Sequence, residues 1–158
     1  MKILLASDHA GPELKSGLIE FFKSDFGQAI DEIIDLGTSD PKESVDYPDY
    51  AIKLCNKFLE LEKENQLLGI LICGSGIGIS IAANKFMGIR AALCRSTEDG
   101  RLSKEHNNAN IICLGARNTS LAEAKEIILA WKKASFQGGR HSKRLDIMAK
   151  LGCNPKFL

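Results

Sequence analysis

The segment Cys73-Gly74-Ser75-Gly76-Ile77-Gly78 sets a thiol at the rim of a glycine-rich turn. A row of backbone N–H groups opening a helix favours an anion, either a bound phosphate or an oxyanion that forms during a reaction. A free thiol titrates near ~8.5, so only a small fraction is thiolate at neutral pH. Helix N-terminal amides and nearby cations raise that fraction. Cys73 therefore stands where a base or nucleophile could work. The plainer alternative is a buried cysteine ending a core strand. That is the reading for Cys55, Cys94 and Cys113, because a free cysteine is usually a small hydrophobe. Cys73 alone of these adjoins the anion nest.

Two common uses of such a turn fail on residue type. The dinucleotide pattern G-x-G-x-x-G needs glycine where Ile79 stands, and no acidic residue closes Leu93-Cys94-Arg95. A P-loop needs Gly-Lys-Ser/Thr at its end, which is missing. His106, within Lys104-Glu105-His106-Asn107-Asn108, suits proton transfer because histidine titrates near ~6.5. It equally suits an exposed histidine at a helix end. Arg140 and Arg144 are one helical turn apart, and the planar fork of arginine matches phosphate oxygens two at a time. The same run, Arg140-His141-Ser142-Lys143-Arg144, also reads as a solvated basic turn. Asp8 either meets a ligand or caps a helix starting near Gly11. Tyr47 either borders a pocket or joins the apolar face of its helix.

These residues need elements to position them. Lys2–Ser7, Ile30–Leu36, Leu68–Cys73, Ile89–Leu93 and Asn110–Gly115 are short, unalternated apolar runs, the pattern of strands buried on both faces of a parallel sheet. Between them Leu14, Leu18, Phe21 and Phe22 share one helical face, and Tyr47, Ala51, Leu54, Phe58 and Leu61 share another. Pro48 suits the first position of its helix. Ser120 and Glu123 read as a capping box before Leu121, Ala124, Ile127, Ile128 and Trp131. A last helix is expected over about 141–151, and Glu60–Gln66 reads as a solvated helix end. The expected fold is α/β: a three-layer α/β/α, Rossmann-like domain with a five-stranded parallel sheet, spanning 1–150, and a tail at 152–158 without assigned function. Ligands bind such sheets beyond the carboxyl ends of the strands. The residues there are Asp8-His9, Gly37-Thr38, Cys73–Gly78, Arg95-Ser96 and Arg117.

Composition narrows the classes. The 158 residues suffice for one core, and a formal net charge of +1 gives no broad pull toward nucleic acid or membrane. The start turns polar at Ser7-Asp8, too soon for a secretion signal, and no apolar run nears the roughly 18 residues of a membrane span. The 5 cysteines are odd in number and widely spaced, which fits reduced thiols in the cytoplasm better than disulfides or a metal site.

The motifs Ser7-Asp8-His9-Ala10-Gly11, Asp46-Tyr47-Pro48-Asp49-Tyr50-Ala51, Ile72–Lys85, His106-Asn107 and Gly138-Gly139-Arg140-His141 occur in the order found in ribose-5-phosphate isomerase B enzymes. The chain resembles that family, which also contains galactose-6-phosphate isomerase subunits and allose-6-phosphate isomerases, from Lys2 to about Met148. The resemblance implies an aldose–ketose isomerase of the non-oxidative pentose phosphate pathway. It would interconvert ribose 5-phosphate and ribulose 5-phosphate through a cis-enediolate, without metal or organic cofactor. It assigns Cys73 as the base, and the amides of Gly74, Ser75, Gly76, Ile77 and Gly78 as holders of the oxyanion. Some family members carry a Glu base where Ile79 stands here, so this is a cysteine-type member. His106 is implied in ring opening with Ser75 as hydroxyl partner, Asn107 and Asp8 in sugar binding, and Tyr47 at the pocket border. His9, Arg117, Arg140 and Arg144 are implied to hold the phosphate. The implied assembly is a homodimer or dimer of dimers with shared active sites, the C-terminal segment reaching a neighbouring subunit. A hexose 6-phosphate substrate of galactose or allose type is the alternative within the class, and His106-Asn107 favours the pentose. A non-catalytic sugar-phosphate sensor is the alternative outside it, and would need the nest and arginines but not Cys73 and His106.

Overall fold

The computed structural model describes residues 1–25, 29–61 and 66–151. In chain order the elements are β1 (Lys2–Ser7), α1 (Pro12–Asp25), β2 (Glu32–Asp35), α2 (Tyr47–Glu60), β3 (Leu67–Cys73), α3 (Ile77–Ala83), β4 (Ala91–Leu93), α4 (Thr97–Asn107), β5 (Ile111–Gly115), α5 (Leu121–Lys133) and α6 (Arg140–Met148). The five strands form one sheet in the order β2-β1-β3-β5-β4, every pair parallel.

Alternate residues of the strands feed two cores. Ile3, Leu5, Ile70, Ile72, Ile112 and Leu114 pack with α1 and α5 on one face. Leu4, Ala6, Leu71, Cys73, Ile111 and Cys113 pack with α2 and α3 on the other. This is why the central strands read as continuous apolar runs: each face of the pleat is covered. Burying one Leu or Ile side chain contributes about 1.5–3 kcal/mol, so this double burial is what fixes the strand register.

The edge strands are shorter than their apolar runs. β2 keeps Glu32–Asp35 of Ile30–Leu36, and β4 keeps Ala91–Leu93 of Ile89–Leu93. Each pairs on one side only, so Ile89 is buried in a turn, its N–H donating to Phe86 O, without joining the ladder. The capping box before α5 is present: Glu123 N–H donates to Ser120 Oγ, and Ser120 N–H to Glu123 Oε2. α2 starts one residue before the expected position, with Tyr47 first and Pro48 second, still within the turn that lacks intrahelical acceptors for its N–H groups. α6 ends at Met148 rather than near 151. The solvated helix end at Glu60–Gln66 falls mostly, and the tail at 152–158 wholly, outside the described residues. Among the described residues no helix is long and apolar enough to cross a membrane.

Candidate functional site

The sheet order creates a crevice between β1 and β3, because the chain leaves β1 toward β2 on one side and returns to β3 on the other. Ser7 pairs with Ile72, and Asp8 N–H extends the ladder to Ile72 O at 3.2 Å, so Asp8-His9 sits beside Cys73. On the other flank Cys73 pairs with Gly115, and Arg117 N–H donates to Gly74 O at 3.1 Å. Backbone pairing alone thus gathers Asp8, His9, Cys73, Gly74 and Arg117 at the carboxyl edge.

Side chains tighten this cluster. The Arg117 guanidinium lies over Gly74, where a β-carbon would stand 3.0 Å from Cζ. The Tyr47 ring lies over Gly78, where a β-carbon would stand 2.8 Å from the phenolic oxygen. Tyr47 therefore borders the turn rather than joining the apolar face of α2, and it is 38% exposed. Gly76 adopts φ 76°, and a β-carbon there would meet the Leu114 carbonyl carbon at 2.9 Å, so both backbone shape and space demand glycine. That turn aims the Gly76 N–H at Cys73 Sγ, 3.2 Å away. The Ile77 N–H is directed to Ser75 Oγ at 3.3 Å. Two of the turn's amides are therefore engaged by its own side chains.

His9 is pinned through Nδ1, which lies 3.1 Å from Val45 N and 3.2 Å from Val45 O. The ring accepts from the amide or donates to the carbonyl according to tautomer, and Nε2 is the nitrogen left for a ligand. Asp8 is 5% exposed and its Oδ1 accepts the Ala10 N–H at 2.9 Å, a turn before α1 rather than a cap on its first residue. One residue that holds this edge together escaped the sequence reading. Lys15 is 2% exposed, and its Nζ donates to Asp35 Oδ1 at 2.7 Å and to Thr38 O at 2.9 Å, fixing the start of the loop that carries Val45. Its signal was positional: Lys15 falls on the buried face of α1 with Leu18 and Phe22.

The remaining expected residues lie at the opposite end of the sheet. α4 follows the carboxyl end of β4 and runs back along the strands, so His106-Asn107 finish at the amino edge. There Asn110 O accepts from Gly69 N at the start of β3, and Arg90 Nε donates to Asn108 O. α5 makes the same return journey, and Gln137 N–H beyond it donates to Glu105 O at 3.0 Å. α6 thus opens against α4, with the His141 ring stacked on that of His106. Arg140, Arg144 and Asn107 are exposed beside it. β3 is seven residues long, which at ~3.3 Å per residue separates the two clusters by roughly 20 Å. A single chain therefore does not bring His106 to Ser75, or Arg140 and Arg144 to Arg117. Concave grooves open between α4 and α5, lined by Thr97, Arg101 and Glu126 among others, and beside β2; neither includes a residue of either cluster. Among the described residues no three His, Cys, Asp or Glu side chains are gathered as a metal site.

A doubly covered parallel sheet, with a cysteine-rimmed glycine turn at its switch point and Arg117 on a flanking loop, defines a class of small α/β proteins built to meet anionic ligands at the carboxyl edge. Residues 3–148 match the model of the ribose/galactose isomerase family, and the chain belongs to that family. It is 39% identical over 150 residues to ribose-5-phosphate isomerase B of Escherichia coli K12, covering 95% of each chain. The structure of Clostridium thermocellum ribose-5-phosphate isomerase B is similar over 100% of both chains, with a TM-score of 0.88 and 44% identity. That of the Mycoplasma genitalium ribose-5-phosphate isomerase B with bound ribulose-5-phosphate is similar over 94% of both, with a TM-score of 0.84 and 38% identity.

Proposed function

We propose that this protein is an aldose–ketose isomerase interconverting ribose 5-phosphate and ribulose 5-phosphate. The observation that carries the reading is Cys73 at the switch-point crevice, its sulfur facing the Gly76 amide with Asp8, His9 and Arg117 around it. Family membership and the ribulose-5-phosphate held by the Mycoplasma genitalium relative support the pentose substrate.

The chemistry follows from the groups present. Cys73 as thiolate removes the C2 proton of the open-chain aldose, the electron pair passes to the C1 oxygen, and a cis-enediolate forms. The hydroxyl proton passes from O2 to O1, the electron pair left on O2 closes the carbonyl at C2, and Cys73 returns the carbon-bound proton at C1, giving the ketose. Backbone amides of the turn stabilise the negative oxygen as it develops. His106 serves ring opening, moving a proton between the ring oxygen and the anomeric hydroxyl. Asp8 and Asn107 hold sugar hydroxyls, Tyr47 closes the turn side, and His9, Arg117, Arg140 and Arg144 neutralise a phosphate of about −1.5 to −2 charges.

On this reading the active site needs two copies of the chain. The carboxyl-edge cluster of one copy meets the amino-edge cluster of the other, and a two-fold axis completes two sites at once. The exposed apolar side chains Ile77 and Ile81 on α3, which opens beside the carboxyl-edge cluster, offer such a contact. Residues 1–150 act as one catalytic domain, and the free thiols of the described cysteines fit a cytoplasmic enzyme.

The test is ketose formation from ribose 5-phosphate by purified protein, with and without EDTA, and in parallel from allose and galactose 6-phosphates. Turnover of the pentose, unchanged by EDTA, is expected. No turnover of any aldose phosphate leaves the sensor alternative, and preference for a hexose phosphate moves the substrate.

A further inference from the structure

Gly138 and Gly139, at φ 64° and 55°, swing the chain so that α6 opens directly against the end of α4. His141 is carried inward by that turn and is 5% exposed, whereas Arg140 beside it faces solvent. The His141 ring lies flat on the His106 ring, with centroids 4.3 Å apart and planes 8° apart. On its edge, Arg140 Nε–H donates to His141 Nε2 at 3.4 Å. A guanidinium only donates and does not lose its proton, so Nε2 offers a lone pair and His141 is neutral with its hydrogen on Nδ1. Burial, joined by the charges of His106, Arg140 and Arg144, holds His141 below the ordinary histidine range, in the same direction.

We propose that His141 is a positioning residue for two functional groups at once: its ring face orients His106, and its Nε2 orients the Arg140 guanidinium. The inference rests on the roles given above to His106 and Arg140. Ring opening cycles His106 between imidazole and imidazolium. A second imidazolium stacked 4.3 Å away would oppose that charge, while a neutral ring offers it a π face. With Nε tied to His141, the two terminal nitrogens of Arg140 remain as a fork for phosphate oxygens, and less side-chain freedom is lost on binding. The other charged groups near the pair are Glu98, Lys104 and Glu105 on α4 and Arg144 on α6. Glu105 and Glu98 are each committed to Arg101. Lys104 stands over the Trp131 ring.

Two substitutions separate the two tasks. His141→Phe keeps a flat ring and removes the acceptor, so KM for ribose 5-phosphate and the inhibition constant of inorganic phosphate should rise about tenfold, with kcat within about twofold. His141→Gln keeps an acceptor and removes the ring, so kcat should fall about tenfold with KM nearly held. A residue that merely supports the fold would move kcat and KM together in both variants, and that outcome overturns the inference. His106→Ala and Arg140→Ala are measured alongside. If they leave kcat and KM respectively unchanged, the underlying assignment fails and this inference with it; if they behave as assigned while the His141 variants do not split, only this inference fails. The 15N spectrum of the wild-type imidazoles is a check independent of folding in the variants. An Nδ1–H tautomer of His141 at pH 7 is expected, and an Nε2–H tautomer or an imidazolium contradicts it.

Discussion

Burial pushes the thiols of Cys55 and Cys94 up to about 12, and that of Cys113 well above its ordinary value. Three of the four described cysteines are thereby kept protonated and unreactive near neutral pH. Cys73 differs in its neighbours: an amide hydrogen on its sulfur, a glycine turn ahead of it, and Arg117 beside Gly74. Cys73→Ser should lower kcat by about 10²–10⁴-fold, the range of a lost general base, while phosphate inhibition stays within about twofold. Cys113→Ser places a hydroxyl in a fully buried apolar site and should cost about 1–3 kcal/mol of stability by thermal unfolding, with kcat of the folded protein unchanged. The reverse pattern would transfer the base to another residue. Cys73 was legible from sequence because its strand is wholly apolar and the glycines follow at once. The direction of the turn's amides was not, since it depends on the left-handed conformation at Gly76.

At the scale of elements, the strand–turn–helix from β3 into α3 aims the chemistry, and Gly76 is its tightest point. Gly76→Ala adds a left-handed backbone penalty of about 1–2 kcal/mol and a clash with the Leu114 carbonyl carbon. The melting temperature should drop by several degrees and kcat by at least about tenfold, because the amide moves off Cys73 Sγ. Gly88→Ala is the control. Gly88 has φ 85° and its nearest neighbour would be Leu59 Cδ2 at 3.4 Å, so stability should fall while kcat holds. Equal kcat losses in both would mean that general loosening, not the turn's geometry, sets the rate. Strand and helix identities were readable throughout, because central strands covered on both faces cannot tolerate polar residues. The edges were overcalled where apolar residues bury in turns. Lys15 was passed over because a lysine on an apolar helix face makes sense only once Asp35 and Thr38 are known to wait at the end of β2.

For the whole molecule, the decisive fact is that helices following parallel strands return to the opposite edge. Sequence motifs name residues without saying which edge they reach, so His106 was paired with Ser75 although roughly 20 Å of sheet separates their ends. The shared site proposed above would bring them together, and mixing two inactive variants, Cys73→Ser and His106→Ala, tests it. Random reassociation makes half the dimers mixed, and each mixed dimer holds one site with both residues intact. Recovery of about a quarter of wild-type activity is expected. If every site were built within one chain, the mixture would remain as inactive as its parts. The same proposal would make the substrate a fastener. On the shared site proposed above, a sugar phosphate gripped by Cys73 and Arg117 on one copy and by Arg140 and His106 on the other would span the joint and so, by mass action, tighten subunit association. Specific activity should then decline on dilution, and a pre-incubation with substrate or inorganic phosphate should delay that decline.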